Sequence, residues 1–436
     1  MIPKIRLYTT YKIVLRFKKT LFEKTSILYI CLYITTEMTS IQKTNILHIS
    51  LLFLLLSSCA KEKKTVELSD DILPKSTIPK MKPLTNQEPK LTAEYIDIKK
   101  QEIDSFYKKN WVNNSANGSF LVAKNGQIIF EKYDGYANFS DKKLITKSTP
   151  LHIASVSKVI TATAILKLVN AKRIELDQKV NTILNEFPYP DVTIRTLLNH
   201  RSGMRNYAYF TDRDKTVWDR KNILTNQDIL TILATKNIEL EFKTDTRFSY
   251  CNTNYAILAL IIEKTTKLSY SEAMKQIIFE PLGMSNTYVF DYNRDKDTAV
   301  TSYKGNKAEI GKDYLDAVYG DKNIYSTPRD LLKLDRARSN STFLTPELHN
   351  QVYKGYSNER KGTKNYGLGI RMINWETGQN FYFHNGWWHG NTSSYITLLK
   401  EGVTIIALSN KFTRKTYEVR KLATLFGDYP FRLKDE

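Results

Sequence analysis

The sequence predicts an α+β fold: one antiparallel sheet assembled from both ends of the folded region and flanked by helices. Strand patterns cluster at 119–133 and return at 366–408, and the stretch between reads mostly as helices and loops. A long apolar helix begins near residue 155, where the first group of strands gives out. A single sheet fed from both ends, with a mostly helical insertion at about 170–345, satisfies that order without separate domains.

Each element has its own signal. Ile96, Ile103, Phe106 and Tyr107 recur among Lys and Glu, which predicts an amphipathic helix over 93–113. Strands are expected at 119–123 and 127–133 around Asn125-Gly126, because a type I′ turn needs positive φ at both central residues. Pro188, Pro190, Pro281 and Pro328 punctuate the helical stretch. Later strands are expected at 366–373, 380–383, 395–399 and 403–408, with a turn at Lys400-Glu401-Gly402 and a closing helix over 414–425. No internal repeat is present.

Composition narrows the function. Of 436 residues, 42% are hydrophobic and 25% charged, enough for a sizeable core. The net charge is +20, of which +14 lies beyond residue 58. Lys is scattered, with no dense basic block interleaved with aromatics. That argues against a nucleic-acid partner and favours a milder attraction to anionic envelope polymers or membranes. The cysteines Cys31, Cys59 and Cys251 form no C-x-x-C pair, so neither a zinc site nor a redox motif is supported. His384 and His389 lack nearby carboxylates in sequence; no metal and no cofactor is expected.

The N-terminus reads as an address. From Met38 there is one early cation, Lys43, then an apolar run to Leu54-Leu55-Leu56, then Ser57-Ser58-Cys59. The run suits a signal peptide and is short for a membrane span. Leu-Ser-Ser-Cys resembles a bacterial lipobox, which implies lipidation of Cys59 and a membrane anchor at the cell envelope. Residues 1–37 then form an upstream extension, 38–58 the signal and 59–92 a tether rich in Lys with Pro74, Pro79, Pro83 and Pro89. The folded domain is expected over 93–432.

Ser155-Val156-Ser157-Lys158 matches S-x-x-K, which on a helix places an amine beside a hydroxyl. The pattern alone is cheap: Ser40–Lys43, Ser105–Lys108 and Ser140–Lys143 match it too. Only Ser155 opens a helix apolar enough to be buried (Val156, Val159, Ile160, Ala164, Ile165, Leu168). Such a Lys can take the Ser proton, and the first N–H groups of the helix can hold an oxyanion. No G-x-S-x-G elbow occurs.

Ile153-Ala154-Ser155-Val156-Ser157-Lys158 resembles the nucleophile motif of the β-lactamase-related serine hydrolases, which include class C β-lactamases, penicillin-binding D-alanyl-D-alanine carboxypeptidases, D-aminopeptidases and certain esterases. Further blocks resemble the same family in the same order: 174–180, 194–204, Glu280-Pro281-Leu282-Gly283-Met284, 325–331 and Tyr366-Gly367-Leu368-Gly369. Together they cover roughly 117–410. The resemblance implies a serine hydrolase acting through a Ser155 acyl-enzyme on a small or peptide-like ester or amide.

Two stretches fit the family's Tyr-x-Asn: Tyr250-Cys251-Asn252, entering an apolar helix, and Tyr356-Ser357-Asn358, in a charged loop. The first is preferred for its context. By the resemblance Tyr250 is a general base or proton relay, and Asn252 bonds the substrate and Lys158. Where β-lactamases keep Lys-Thr-Gly this chain has His384-Asn385-Gly386, expected on a sheet edge. The resemblance then gives His384 a proton or a switchable charge to supply, Gly386 a surface for the substrate, and the Trp387 N–H the second oxyanion contact. His200 and Ser202 are read as a structural turn. A β-lactamase or D-alanyl-D-alanine carboxypeptidase is the alternative, weakened by the missing Lys-Thr-Gly, and a non-catalytic binding lipoprotein of the same fold is a third. The oligomeric state is not legible.

Overall fold

The computed structural model describes residues 90–114, 116–340 and 342–431. The expected signal, Cys59 and all but the end of the tether lie outside them.

A Thr92 side-chain cap, accepting from the Tyr95 N–H at 3.2 Å, starts helix α1 (Ala93–Asn110). Strands β1 (Gly118–Lys124) and β2 (Gln127–Asp134) follow. Asn125 and Gly126 have φ of 53° and 71°, the doubly positive pair their sequence predicts. Next come α2 (Ser157–Asn170), α3 (Asn252–Thr266) and α4 (Pro328–Arg338). The remaining strands of the main sheet are β3 (Lys364–Tyr366), β4 (Arg371–Asn374), β5 (Asn380–Trp388), β6 (Asn391–Leu398) and β7 (Val403–Ser409).

These strands form one antiparallel seven-stranded sheet, ordered β3-β4-β5-β6-β7-β1-β2. The two chain ends meet where Gly118 pairs with Ser409 and Lys124 with Val403. Because side chains alternate along a strand, β1 sends Phe120 and Val122 to one core and Leu121 and Ala123 to the other. The first core lies under α1 and the C-terminal turns, with Ile103, Trp111 and Leu422. The second lies under α2, α3 and α4, with Ile160, Tyr255 and Leu331. Eleven of the fourteen α2 residues are buried, Lys158 among them, so that helix runs through the interior and not along a surface.

Three expectations need correcting. The strand expected over 366–373 is two strands, because Gly369 (φ 81°) makes a turn in which the Gly367 N–H donates to the Ile370 carbonyl. Strand β5 runs on through His384 to Trp388, and β6 starts at Asn391; their polar residues face buried partners and hid the period. The closing helix is one α turn, Lys415–Glu418, continued as 3₁₀ over Val419–Leu425. Two-residue strands also escaped notice: Leu151–His152 and Tyr288–Val289 pair with either side of Ile324–Ser326.

Candidate active site

Ser155 sits on a forced turn. Ala154 has φ of 48°, a left-handed conformation that costs an L-residue roughly 1–2 kcal/mol. Several bonds hold it. The Ala154 N–H donates to His152 Nδ1 at 3.0 Å, and the Ile153 N–H to the Ile324 carbonyl at 2.9 Å. Ser393 Oγ donates to the Ile153 carbonyl at 2.6 Å. His152, fully buried, has its pKa pushed down to about 3, chiefly by desolvation. It is therefore neutral, and its Nε2 donates to Asn323 Oδ1 at 3.0 Å.

Lys158 lies one turn on. Its Nζ donates to Ser155 Oγ at 3.1 Å and to the Asp321 backbone carbonyl at 2.8 Å. No carboxylate among the described residues pairs with it. The amine is sealed from solvent while Ser155 is partly exposed, so the hydroxyl reaches solvent and the amine behind it does not.

Tyr250 closes the same space, with Lys158 Nζ 5.1 Å from its ring centre. The His200 ring lies tilted against it, 4.4 Å between ring centres, and the Arg371 guanidinium lies 4.4 Å from its centre. Asn252 is the first residue of α3. The expected bond from Asn252 to Lys158 is not made. Asn252 Oδ1 is buried with no hydrogen-bond partner among the described residues, an acceptor left open. The rival Tyr356 lies elsewhere, its hydroxyl 3.3 Å from Arg195.

Strand β5 supplies the third wall. It is an interior strand, not an edge, but β4 ends at the Arg371–Phe383 pair, so His384 to Trp388 are open on that side. A Cβ on Gly386 would lie 2.8 Å from the Ser155 N atom and 2.6 Å from the Ile153 carbonyl oxygen; only glycine lets strand and turn approach this closely. Trp387 follows, 61% exposed. Trp388 turns inward, its Nε1 donating to Asp316 Oδ1 at 2.8 Å.

His384 departs from its expected role. Its Nδ1 donates to the Asn385 carbonyl at 2.9 Å, which leaves Nε2 as an acceptor for the Tyr366 hydroxyl at 3.2 Å. Complete burial, then the Arg371 and Lys158 charges, holds its pKa well below the ordinary histidine value. A neutral, doubly bonded imidazole is no switchable charge. The cation at this wall is Arg371, which the sequence reading missed; its one signal was position, shortly after Tyr366-Gly367-Leu368-Gly369. No carboxylate among the described residues pairs with it. His200, read as a turn residue, packs beneath Tyr250, and its Nε2 is buried with no hydrogen-bond partner among the described residues. The carboxylates thought absent near His389 are also present: Asp313, Asp316 and His389 place ligand atoms within 4.8 Å of one another. Asp316 is already taken up by His389, Trp388 and the Asp313 N–H.

A buried Lys bonded to a partly exposed Ser, with a Tyr and a glycine strand around them, is an arrangement that suits a serine hydrolase. The chain belongs to the β-lactamase family, whose profile matches residues 108–426. It is 29% identical over 362 residues to penicillin-binding protein 4* of Bacillus subtilis (strain 168), covering 78% of this chain and 79% of that protein. It is 26% identical over 274 residues to the teichoic acid D-alanine hydrolase of Staphylococcus aureus, covering 62% and 64%. The fold is that of a penicillin-binding protein from Bacillus halodurans, with a TM-score of 0.65 and 22% identity over 74% of this chain and 99% of the other. No helix among the described residues is long and apolar enough to cross a membrane.

Proposed function

We propose that this hydrolase works at the cell envelope, tethered through a lipidated Cys59 after a signal over 38–58, with its catalytic domain over 93–432. Ser155 Oγ attacks the carbonyl of an ester or amide. Lys158 takes the Ser proton and, with Tyr250 as relay, returns it to the leaving group; water then hydrolyses the acyl-enzyme. The Ser155 and Trp387 N–H groups hold the oxyanion, and Asn252 Oδ1 accepts from the substrate. His384, being neutral, orients Tyr366 and the β5 wall. The observation that carries this reading is the 3.1 Å bond between Lys158 Nζ and Ser155 Oγ, made without a competing carboxylate.

A second reading, a D-alanyl-D-alanine carboxypeptidase or β-lactamase, draws on Arg371. Its unpaired guanidinium stands where it could meet a substrate carboxylate, the task Lys performs in Lys-Thr-Gly enzymes. A panel of p-nitrophenyl esters, nitrocefin and D-Ala-D-Ala peptides on wild type and Ser155→Ala tests both. Turnover lost in the variant supports the enzyme, and the substrate turned over chooses between readings. Equal rates in both proteins would leave only a non-catalytic binding lipoprotein. Lipid labelling of the full chain, lost in Cys59→Ala, tests the anchor.

A further inference from the structure

Lys158 owes its direction to a backbone carbonyl, and that carbonyl belongs to a residue whose side chain is buried for no reason the reaction supplies. Asp321 Oδ2 accepts from the Tyr207 hydroxyl at 2.9 Å, and the same hydroxyl accepts from Lys322 Nζ at 2.7 Å. Lys322 Nζ is 3.7 Å from Asp321 Oδ1, and both side chains are almost wholly sealed. The result is an ion pair bridged by a phenol. Burial, then the nearby Asp321 charge, raises the Tyr207 pKa far above the ordinary value, so the phenol keeps its proton and can bridge.

Each arm of this cluster reaches a different element of the site. The Asp321 carbonyl holds Lys158. The Tyr207 N–H donates to Thr253 Oγ1 at 2.7 Å, on the turn that carries Tyr250 and Asn252. Lys322 Nζ lies 4.7 Å from the Trp388 ring centre, at the end of the strand that carries Gly386 and Trp387. A buried ion pair is seldom the most stable filling for such a space, and an apolar set often does as well. What it provides is fixed direction.

We infer that Tyr207, Asp321 and Lys322 are positioning residues, a buried cluster that registers the nucleophile helix, the Tyr250 turn and the Gly386 strand against one another. The inference rests on the serine-hydrolase reading above, since none of the three touches the reacting atoms.

The test compares ester hydrolysis and the rate of Ser155 labelling by a fluorophosphonate in wild type, Tyr207→Phe, Lys322→Arg, Lys322→Met and the doubly neutral Asp321→Asn/Lys322→Met. Tyr207→Phe keeps the ring and removes the bridge; it is expected to lower kcat and the labelling rate by about tenfold with KM little changed, as misplaced catalytic groups do. Lys322→Arg should recover part of what Lys322→Met loses. The doubly neutral variant leaves no buried charge unpaired, and should fold yet stay slow. A folded Tyr207→Phe with wild-type kcat and labelling, or a change in KM alone, overturns the inference. A folded wild type that neither labels nor hydrolyses any ester overturns the serine-hydrolase reading, and this inference with it.

Discussion

Lys158 and Lys322 are both buried beside Asp321, one bonded to its backbone and the other paired with its side chain. Lys322 has a carboxylate and a phenol to answer its charge. Lys158 has a hydroxyl and a carbonyl, neither of which carries a compensating charge. Lys322 is fixed by a carboxylate and a phenol that pack away from Ser155, whereas Lys158 directs its amine at the Ser155 hydroxyl. The same residue type thus has two different surroundings beside one aspartate, and the difference lies wholly in the partners.

Exchanging each lysine for methionine should separate these roles most widely. Lys158→Met is expected to remove activity by about 10³-fold or more while the protein stays folded, since no buried carboxylate is orphaned. Lys322→Met orphans Asp321 and should cost about 3–5 kcal/mol of stability, read by denaturant unfolding. Equal loss of stability in both variants would erase the contrast. Next in size is Gly386→Ala, whose methyl group would press on the Ser155 turn; about a 10²-fold fall in kcat is expected in steady-state assays. Arg371→Gln should raise KM roughly tenfold for substrates bearing a carboxylate and leave neutral esters nearly unchanged, an asymmetry that shows whether the unpaired guanidinium is a substrate contact. Stability should also depend on pH. His152, His200 and His384 have folded-state pKa values depressed by burial, so below about 6.5 the unfolded chain binds protons that the folded chain refuses. Stability from these groups is therefore full above that pH and declines toward pH 3, the folded value for His152. Thermal melts between pH 7 and 4 should show it; a flat profile would mean the imidazoles can be charged in place.

The main strands and helices were legible because their periods are simple. The Asn125-Gly126 turn and the apolar helix after Ser155 follow from local chemistry alone. The split at Gly367–Ile370 and the length of β5 were less so, because the pairing of His384 through Trp388 with β6 hides polar side chains in register with partners far along the chain. In the site, Ser155, Lys158, Tyr250 and Gly386 were named from motifs, and the fold brings them together. Arg371, His152, Tyr207, Asp321 and Lys322 lie in no motif that marks them, and their importance is a matter of distance.

What the sequence determined by itself is the Ser155–Lys158 pairing one helical turn apart and the order of strands and helices, since these depend on near neighbours and on the 3.6- and 2-residue periods. The tertiary structure alone decided the partners. Burial beside Arg371 and Lys158 holds His384 neutral, and Lys322 meets a carboxylate and a phenol where Lys158 meets a hydroxyl and a carbonyl. Desolvation and ion pairing act through space between segments distant in sequence, and no local pattern records them.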